Sequence, residues 1–580
     1  MNPARTPAPT PLECDVLIAG TGAAGFAATV TAADAGLRVV MIEKSRQFGG
    51  STCYSAGMVW FPGSRQARAA GIREEPGAAL AYLEAEAGER LDRENAQAYL
   101  AHGADVLAWF EDHTHVSYTL SPAWPDYHPR YPGSMPGGRS LGPTPFDGRR
   151  LGEYFARLRP PLATTMIFGG MMVGREDVPK FYSITRSWRS AWRVFTLFLR
   201  YLKDRINYSR GTRLSNGNAL IAQLALSALD RGVTILFESP ITSVTTADGR
   251  VTGAIVQTAD GPLTIRARGG VVLACGGFPG SDSLRKRFFA HVRAGKNHRT
   301  LTPTDNSGDG FAIGTAAGVA VAGDDGAPAA WTPVSLVPQP DGSTIPFPHF
   351  NDRGKAGFIA VDARGQRFVS EALSYHDFVP AMIAAAASEP EISCHVICDH
   401  RAIRRSGLGR APPAPGRLGP HVASGYIMRA GTIADLARQC GLDPDALEAT
   451  VARFNEGAAR GEDPEFGKGK DVYERFNGTS GHTPNPCLAP IVQQPFYAVK
   501  LVPGDIGTFA GLKADASARA IDERGHVIEG LYVAGNDAAS FMGGTYPGAG
   551  TSIGPALVFG HLAARDIADT LLSAPTGSAV

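Results

Sequence analysis

Residues 14–43 read CDVLIAGTGAAGFAATVTAADAGLRVVMIE, and this stretch decides the fold. It contains an apolar run suited to a buried strand, residues 16–19. Gly20, Gly22 and Gly25 follow with G-x-G-x-x-G spacing, and a helix of small residues is predicted directly after them. In such a turn the helix N-terminus faces the charge of a bound phosphate. The stretch therefore predicts the strand–turn–helix of a Rossmann-like nucleotide-binding domain.

The three glycines and the acid that follows them have separate predicted roles. Gly20 permits the tight turn, Gly22 lets the backbone approach a pyrophosphate, and Gly25 lets helix and strand pack closely. Residues 39–42 predict a second strand, and Glu43 ends it, roughly 20 residues after the glycines. An acid at this position binds the ribose hydroxyls of adenosine, whereas NADP would need an arginine for its ribose phosphate.

Further glycine-containing segments favour FAD over NAD. Residues 48–57 read FGGSTCYSAG, a run that suits close approach to a pyrophosphate and a flavin ring. Residues 271–277 (VVLACGG) and 530–536 (GLYVAGN) are each an apolar strand that leads into glycine, as needed where backbone passes beside a cofactor. Because these segments lie far apart along the chain, they imply an FAD-binding domain that is interrupted by an inserted domain.

The predicted FAD-binding residues come from these segments, from a helix start at 305–318 and from the glycine-rich stretch near the C-terminus. They are Gly20, Gly22, Ala23, Ala24, Gly25, Glu43, Lys44, Gly50, Ser51, Thr52, Ser55, Ala56, Gly57, Gly276, Asp309, Gly535, Asn536, Ser552 and Ile553.

The length of 580 residues predicts two or more domains. We predict an α/β fold class, with a Rossmann-like FAD-binding domain of the GR2 type and an inserted α+β substrate domain that holds catalytic residues. The predicted organisation is a disordered tail at 1–12, an FAD-binding domain at 13–325 and 508–580, an insertion with an amphipathic helix at 160–213, and a substrate domain at 326–507.

Start, stop and turn signals predict further elements of the FAD-binding domain. Helices are predicted at 76–87, 95–111 and 219–230, a strand at 233–237, and a β-meander at 241–244, 250–257 and 262–266.

Composition narrows the class of protein. The net charge of +1 gives no case for nucleic acid. Seven cysteines without a framework spacing predict reduced thiols in a cytoplasmic protein, and no metal site is predicted. No apolar run is long enough to span a membrane, and the Pro-rich N-terminus lacks the apolar core of an export signal.

Residues 187–207 read SWRSAWRVFTLFLRYLKDRIN and depart from a plain soluble pattern. At helical spacing one face carries an apolar stripe: Trp188, Trp192, Phe195, Leu199, Leu202 and Ile206. The basic residues that fall largely outside this stripe are Arg189, Arg193, Arg200 and Lys203. One interpretation is an interfacial helix on the inner face of the cell membrane. The other is a helix whose stripe packs on its own domain and whose basic face is solvated.

Four short segments carry a resemblance to a known family. They are residues 124–128 (WPDYH), 369–378 (VSEALSYHDF), 505–512 (DIGTFAGL) and 544–554 (GTYPGAGTSIG). With them the chain resembles the 3-ketosteroid Δ1-dehydrogenases, within the larger fumarate-reductase-like flavoprotein group. The resemblance covers nearly the full chain and is weakest across 162–213. It implies a tyrosine pair, a domain junction, and a tyrosine plus glycine that hold a 3-keto oxygen.

Chemical reasoning fits these residues to 1,2-dehydrogenation. A proton next to a ketone is acidic only if donors stabilise the developing enolate oxygen, and Tyr546 with the Gly550 amide would do so. A glycine at 550 would also avoid a side chain that blocks the steroid. By resemblance Tyr375 is the base that takes the proton from carbon 2, with Tyr127 as its hydrogen-bonding partner. Tyr118 and Tyr131 lie close to Tyr127 in the sequence and are alternative partners.

The resemblance also implies the cofactor and partners. FAD is expected to be non-covalent, because covalent members of the group use a histidine where this chain has Ser51 and Thr52. Flavin N5 is expected to take the hydride from carbon 1, and an unidentified electron acceptor would then reoxidise the flavin. The expected substrate is a 3-ketosteroid.

Three other functions stay open at this point. A 3-ketosteroid Δ4-(5α)-dehydrogenase would use similar machinery on different ring carbons. A fumarate-reductase-like enoate reductase would need cations for substrate carboxylates, for which Arg353, Arg367 and Arg401 are candidates. A membrane-associated flavin electron carrier would use the 187–207 helix and have no substrate.

Overall fold

The computed structural model describes residues 11–174, 176–184, 187–323 and 326–573. The predicted tail at 1–12 therefore lies almost entirely outside the described residues, and Leu12 already belongs to the first strand.

The strands of the described residues are, in chain order, β1 (Leu12–Ala19), β2 (Val39–Ile42), β3 (Val59–Trp60), β4 (Tyr118–Leu120), β5 (Ser140–Pro143), β6 (Phe146–Asp147), β7 (Arg213–Leu214), β8 (Thr234–Leu236), β9 (Ile241–Ala247), β10 (Arg250–Thr258), β11 (Gly261–Leu273), β12 (Arg299–Thr300), β13 (Val321–Ala322), β14 (Ala329–Pro338), β15 (Thr344–Pro348), β16 (Phe358–Val361), β17 (Cys394–Cys398), β18 (Met428–Ala430), β19 (Phe496–Thr508), β20 (Gly511–Leu512), β21 (Arg519–Ile521) and β22 (Val527–Val533).

The α-helices of the described residues are α1 (Ala23–Asp34), α2 (Arg65–Ala69), α3 (Ala78–Ala87), α4 (Arg93–His113), α5 (Val178–Tyr182), α6 (Trp188–Asn207), α7 (Asn216–Asp230), α8 (Asp282–Phe288), α9 (Ala290–Arg293), α10 (Asp309–Ala316), α11 (Tyr375–Ala385), α12 (His400–Ser406), α13 (Gly419–Ala423), α14 (Ile433–Cys440), α15 (Pro444–Ala458), α16 (Val472–Asn477) and α17 (Ile553–Ser573).

The nucleotide-binding sheet has the parallel order β8–β2–β1–β11–β22, with β21 added antiparallel at one edge. Helices α1, α7 and α17 cover one face, and the β9–β10–β11 meander contributes to the core on the other. Both faces are thus buried, which explains why β1 and β2 read as continuous apolar runs rather than as alternating ones. The α/β class and the Rossmann-like strand–turn–helix predicted from the sequence are confirmed.

The predicted meander is present, but one of its boundaries was wrong. The segments at 262–266 and 271–277 were expected to be separate strands, whereas β11 runs unbroken from Gly261 to Leu273. Its first half pairs antiparallel with β10, and its second half lies parallel between β1 and β22. One strand therefore links the meander to the centre of the nucleotide-binding sheet.

A second sheet, with the order β15–β14–β19–β17–β16, forms the centre of the inserted region, and β12 and β18 also pair with β19. Helices α14 and α15 pack over one side in an apolar cluster of their own. Strand β12 precedes the predicted substrate domain at 326–507, yet its Arg299 and Thr300 pair in parallel with Gly504 and Asp505 of β19. The second sheet thus includes a strand from the part of the chain predicted to bind FAD.

The chain passes into and out of the inserted region at adjacent positions. Val321 of β13 pairs with Leu512 of β20, and a few residues further on Ala329 of β14 pairs with Thr508 of β19. The predicted boundaries at 325/326 and 507/508 stay a prediction, and residues 324–325 lie outside the described part of the chain.

Helix α6 has its apolar stripe on the outside, so the interpretation that the stripe packs on its own domain is wrong. Trp188 is 75% exposed, Trp192 61% and Ile206 79%. The helix instead buries its opposite side through Leu197 and Tyr201, which pack with Met171, Ile167 and Phe181 of the segment before it. Periodicity marks a stripe but not the direction in which it points, because that depends on tertiary packing.

Two of the basic residues of α6 are not simply solvated. Arg193 forms a salt bridge of 3.0 Å with Asp177, and Arg200 approaches Asp147 to 3.4 Å. Arg189 and Lys203 are exposed. No helix of the described residues is long and apolar enough to cross a membrane.

Candidate functional site

A long cavity opens at the carboxyl ends of β1, β2 and β11 and continues towards the inserted sheet. In an open parallel sheet this edge is where ligands bind. All of the predicted cofactor-binding and catalytic residues line the cavity except Gly25. Segments from both ends of the chain and from its middle therefore build one site.

The three glycines of the first turn have different structural reasons. At Gly20, φ is +108°, and a Cβ would lie 2.1 Å from the carbonyl oxygen of Ala274. At Gly25 a Cβ would lie 1.9 Å from the carbonyl oxygen of Gly20, so this glycine serves helix–strand packing and does not face the cavity. Gly22 lines the cavity, and a Cβ there would have no neighbour closer than Thr52 Oγ1 at 3.9 Å. This open space at the N-terminus of α1 suits a bound pyrophosphate.

Glu43 presents a carboxylate at the end of β2. The Thr21 hydroxyl and the Ser45 N–H, the latter at 2.9 Å, both donate hydrogen bonds to it. Burial raises the pKa of Glu43. Beside it, Lys44 forms a 2.7 Å salt bridge with Asp309. An acceptor carboxylate held in this way has the chemistry required to bind ribose hydroxyls, so this end of the cavity fits an adenosine group.

Asp537 is a residue that sequence reasoning missed. Its carboxylate accepts hydrogen bonds from the N–H groups of Cys275 and Gly277, the latter at 2.9 Å. Burial raises its pKa to about 6. The interaction ties the end of β11 to the turn after β22, which holds the two distant glycine segments together. The signal in the sequence was an acid directly after Gly535 and Asn536, in an otherwise apolar and glycine-rich segment.

The loop that carries Tyr127 is fixed by buried polar contacts. The Asp126 carboxylate accepts from the indole N–H of Trp60 at 2.8 Å and from the Met135 N–H at 2.9 Å, and it also pairs with the buried Arg139. The Tyr127 N–H donates to the carbonyl oxygen of Pro547 at 2.9 Å. The loop is thereby joined directly to the segment that carries Tyr546.

Three buried tyrosines meet at the far end of the cavity. The Tyr127 hydroxyl lies 3.4 Å from that of Tyr375, which is long for an O–H···O hydrogen bond. The Tyr127 and Tyr546 rings stack at 5.8 Å and 12°, and the Tyr375 and Tyr546 rings meet edge to face at 5.4 Å. Burial raises the pKa of Tyr127 and of Tyr375 well above the ordinary value. Tyrosines from three distant parts of the chain thus form one phenol cluster.

The geometry distinguishes Tyr127 from its two neighbours in the sequence. Tyr118 donates its hydroxyl to the carbonyl oxygen of Gly57 at 3.0 Å and does not line the cavity. Tyr131 is 42% exposed. Tyr127 is the one of the three whose hydroxyl reaches Tyr375.

Gly550 lines the cavity, but the reason expected for its glycine was wrong. Its φ is +111°, and a Cβ would lie 2.4 Å from the backbone of Val59, on the protein side. The residue is therefore a glycine because the backbone of strand β3 passes directly behind it, not because a side chain would fill the substrate space.

Cationic side chains line only one part of the cavity. Of the described residues that line it, Lys44 and Arg159 are the cations, and Arg159 pairs with Asp305 at 2.7 Å and donates to Ser45. Both therefore lie near Glu43. Apolar side chains pack against the tyrosines: Met58, Trp124 and Ile506 belong to the same cluster, and the Phe350 ring meets that of Tyr375. Leu162, Leu301 and Pro348 also line the cavity.

The three arginines considered as carboxylate anchors lie elsewhere. Arg353 is buried and donates to the carbonyl oxygens of His349 and Glu371, at 3.2 and 3.0 Å. Arg367 is bound by the Glu371 and Asp463 carboxylates. Arg401 donates to a backbone carbonyl at the surface. None of the three lines the cavity, so the role proposed for them in a fumarate-type reductase is wrong.

Comparison with known proteins identifies an FAD-binding family and relatives that are named as dehydrogenases. A family model described as FAD binding domain matches residues 15–553. A 4-oxocyclohex-2-ene-1-carboxylate 5-dehydrogenase of Sinomonas cyclohexanicum is 40% identical, over 96% of this chain and 94% of that protein. A 3-oxosteroid 1-dehydrogenase of Mycobacterium tuberculosis is 35% identical, over 96% of this chain and 98% of that protein.

A solved structure is similar over the same length. The crystal structure of 3-ketosteroid Δ1-dehydrogenase from Sterolibacterium denitrificans, in complex with 1,4-androstadiene-3,17-dione, has a TM-score of 0.88 and 33% sequence identity to this chain. The match covers 96% of this chain and 100% of that one.

The geometry at Glu43 generates a prediction for cofactor affinity. Glu43→Gln removes the charge that strengthens hydrogen bonds to the ribose, a loss of about 1.5–3 kcal/mol. We therefore expect the dissociation constant for FAD to rise about tenfold to a hundredfold. The recovery of flavin fluorescence on dilution measures this release. Glu13→Gln, at an exposed acid on β1, is the matched control. Equal release from both variants would contradict the assignment.

Proposed function

Because the chain belongs to the FAD binding domain family, whose model matches residues 15–553, we propose that this FAD-dependent oxidoreductase is a 3-ketosteroid 1-dehydrogenase. The resemblance drawn from the sequence and the FAD cofactor are confirmed by the family match and the relatives. The observation that carries the proposal is the set of three buried tyrosines, Tyr127, Tyr375 and Tyr546, that line the FAD cavity within one apolar cluster. Phenols and apolar walls suit a ketone on a lipophilic ring system.

The proposed reaction removes two hydrogens from adjacent ring carbons. The Tyr546 hydroxyl and the Gly550 N–H donate to the 3-keto oxygen, which stabilises the enolate that develops when a proton leaves carbon 2. Tyr375 takes that proton. FAD, when bound, supplies the acceptor for the hydride that leaves carbon 1. The electron pair of the broken C2–H bond becomes the new C1–C2 double bond.

The tyrosine pair explains how a phenol serves as the base. Burial raises the pKa of Tyr375, so its resting form at neutral pH is the neutral phenol. A hydrogen bond donated by the Tyr127 hydroxyl stabilises the phenolate of Tyr375. The separation of 3.4 Å leaves room for this bond to shorten when substrate fills the cavity, as is common for catalytic hydrogen bonds.

The relative from Sinomonas cyclohexanicum favours a second candidate, the dehydrogenation of a small cyclic ketone that carries a carboxylate. The chemistry next to the ketone would be the same. A carboxylate would need a cation near the tyrosines, whereas the described cations of the cavity, Lys44 and Arg159, are paired near Glu43. The apolar wall therefore supports the steroid over the acid.

We also propose that the FAD is held non-covalently and is reoxidised by a separate electron acceptor. No histidine lines the cavity among the described residues. The lining cysteine, Cys275, has its thiol 3.6 Å from the Ala19 carbonyl oxygen, and burial raises the pKa of that thiol. A neutral thiol beside β1 lies next to the pyrophosphate-binding turn rather than beside a flavin ring.

Anaerobic mixing of the holoenzyme with candidate substrates tests the function. The panel is a 3-ketosteroid with a saturated C1–C2 bond, 4-oxocyclohex-2-ene-1-carboxylate, fumarate and buffer. We expect the flavin absorbance to bleach with the steroid alone and the product to carry a C1–C2 double bond. Bleaching by the carboxylate alone would favour the second candidate. A new bond between carbons 4 and 5 would identify the Δ4-(5α) reaction, and no bleaching at all would support an electron carrier.

Removal of single hydroxyl groups tests the assigned roles. Tyr546→Phe and Tyr375→Phe are each expected to retain FAD and lose about a hundredfold or more in kcat. Tyr131→Phe, at an exposed tyrosine, should keep full activity. Near-wild-type turnover of Tyr375→Phe would show that another residue is the base.

The pH dependence of the wild-type enzyme is a separate test. Because Tyr375 acts as the phenolate and its pKa is raised, the wild-type kcat/KM should increase from pH 7 to 9, about tenfold per pH unit.

We further propose that helix α6 lies on an anionic membrane surface. Its outward stripe of Trp188, Trp192 and Ile206 is exposed, and Arg189 and Lys203 are exposed beside it. The predicted insertion at 160–213, to which α6 belongs, also reaches the cavity, because Leu162 is part of the cavity wall. A lipophilic steroid concentrates in bilayers, so attachment would bring the enzyme to its substrate.

Sedimentation with liposomes tests this attachment. We expect binding to vesicles with anionic lipid that weakens in high salt, since each basic residue near the surface contributes about 1 kcal/mol. Trp188→Ser/Trp192→Ser should abolish it. Val492→Ser, at an apolar residue that is also exposed, is the control and should bind like the wild type. No sedimentation of the wild type at low salt would overturn the proposal.

A further inference from the structure

The first turn of helix α11 places Tyr375, His376 and Asp377 in succession, and each contacts a different part of the chain. Tyr375 faces Tyr127 in the cavity. His376 accepts from the Trp331 N–H through Nδ1 at 3.1 Å, and its Nε2–H donates to the carbonyl oxygen of Gly544 at 3.0 Å. The helix start is thus fixed to strand β14 and to the loop that carries Tyr546.

Asp377 makes the third contact, with the loop that carries Tyr127. Its carboxylate lies 2.7 Å from Nε2 of His128, the residue directly after Tyr127. Nδ1 of His128 lies 2.5 Å from the buried Glu86 carboxylate. The histidine therefore donates to one carboxylate through each nitrogen, which requires the protonated imidazolium.

The charges of this group agree with its geometry. Burial opposes ionisation of Asp377, yet the charge and the hydrogen bond of His128 hold its pKa at about 2. Burial likewise opposes protonation of His128, but Asp377 and Glu86 raise its pKa well above the ordinary value. The pair is charged on both sides of neutral pH, so it is a persistent interaction rather than a pH switch.

The contact between the two tyrosine hydroxyls needs such a support. At 3.4 Å it is close to the limit of a hydrogen bond, and a further movement of a few tenths of an ångström would break it. The two tyrosines are 248 positions apart in the chain, and they belong to the parts predicted to be separate domains. The ion pair joins their carrier segments one residue after Tyr127 and two residues after Tyr375.

We propose that His128 and Asp377 are positioning residues that hold Tyr127 against Tyr375; this rests on the proposed function, in which Tyr375 is the base. Neither residue lines the cavity, so in this proposal they act through the separation of the two hydroxyls. The charged pair holds the loop that carries Tyr127 against the start of helix α11. His376 in turn holds the start of that helix through its hydrogen bonds to Trp331 and Gly544.

A double-mutant cycle tests the proposal. Asp377→Asn keeps the shape of the side chain and leaves His128 paired with Glu86. We expect it to lower kcat about tenfold to a hundredfold, with little change in KM, because misplacement of a catalytic group affects the chemical step. In a Tyr127→Phe background the same change should cost less than about twofold, since the effect passes through the missing hydroxyl. Asp377→Glu should restore part of the loss.

The control breaks another contact between a histidine and an aspartate, away from the site. His115 lies 2.7 Å from Asp230 at the surface, and Asp230→Asn should leave kcat unchanged in both backgrounds. Equal losses from Asp377→Asn with and without the Tyr127 hydroxyl would overturn the proposal, and so would full activity of Asp377→Asn. If that variant fails to retain FAD, His128→Gln enters the same cycle.

A readout without substrate separates this proposal from the proposed function. Crystal structures of the wild-type holoenzyme and of Asp377→Asn give the distance between the Tyr127 and Tyr375 hydroxyls. We expect it to lengthen beyond hydrogen-bonding range in the variant, and an unchanged distance would overturn the positioning role. A wild-type enzyme that oxidises no cyclic ketone would overturn the proposed function instead, whatever this distance is.

Discussion

A stack of three backbone segments, from strand β11 through the Gly20 turn to helix α1, is the contact on which the site depends. No side chain fits at Gly20, where the carbonyl oxygen of Ala274 is in the way, or at Gly25, where that of Gly20 is. This approach brings the carboxyl ends of β1 and β11 side by side. Asp537 then fastens the end of β22 to the same edge. With the edge fixed, the chain after β22 carries Tyr546 to the far end of the cavity.

Much of the fold was readable from the sequence because it follows from local rules. The glycine spacing, the buried strands and the position of Glu43 are consequences of backbone geometry and burial, and they were predicted directly. The tyrosines were found only through the resemblance, since nothing local distinguishes Tyr127 from Tyr118. The direction of the α6 stripe and the neighbour that makes Gly550 necessary depend on tertiary contacts, which periodicity does not encode. The catalytic roles of Tyr127, Tyr375 and Tyr546 stay predictions.

Sequence identity and cavity chemistry give different information about the substrate. The relative at 40% identity acts, by its name, on a small ring with a carboxylate, and one at 35% acts on 3-oxosteroids. The shared feature is a ring ketone, which matches the phenol cluster. What separates the two substrates is whether a cation stands beside that cluster. The paired state of Lys44 and Arg159 near the nucleotide end is therefore more informative than a few per cent of identity.

Strand β12 limits how modular the protein is. It precedes the inserted region in the chain but pairs with β19 at the centre of the inserted sheet, and Leu301 and Thr302 just after it line the cavity. The Thr300 hydroxyl also donates to the Asp505 carboxylate of β19 at 3.1 Å. The inserted region is consequently not a cassette that can be exchanged between relatives by cutting at its two chain crossings. A chimaera would have to transfer β12 together with the inserted region. Otherwise β12 of the recipient would pair with β19 of the donor, and the cavity wall would contain residues from both proteins.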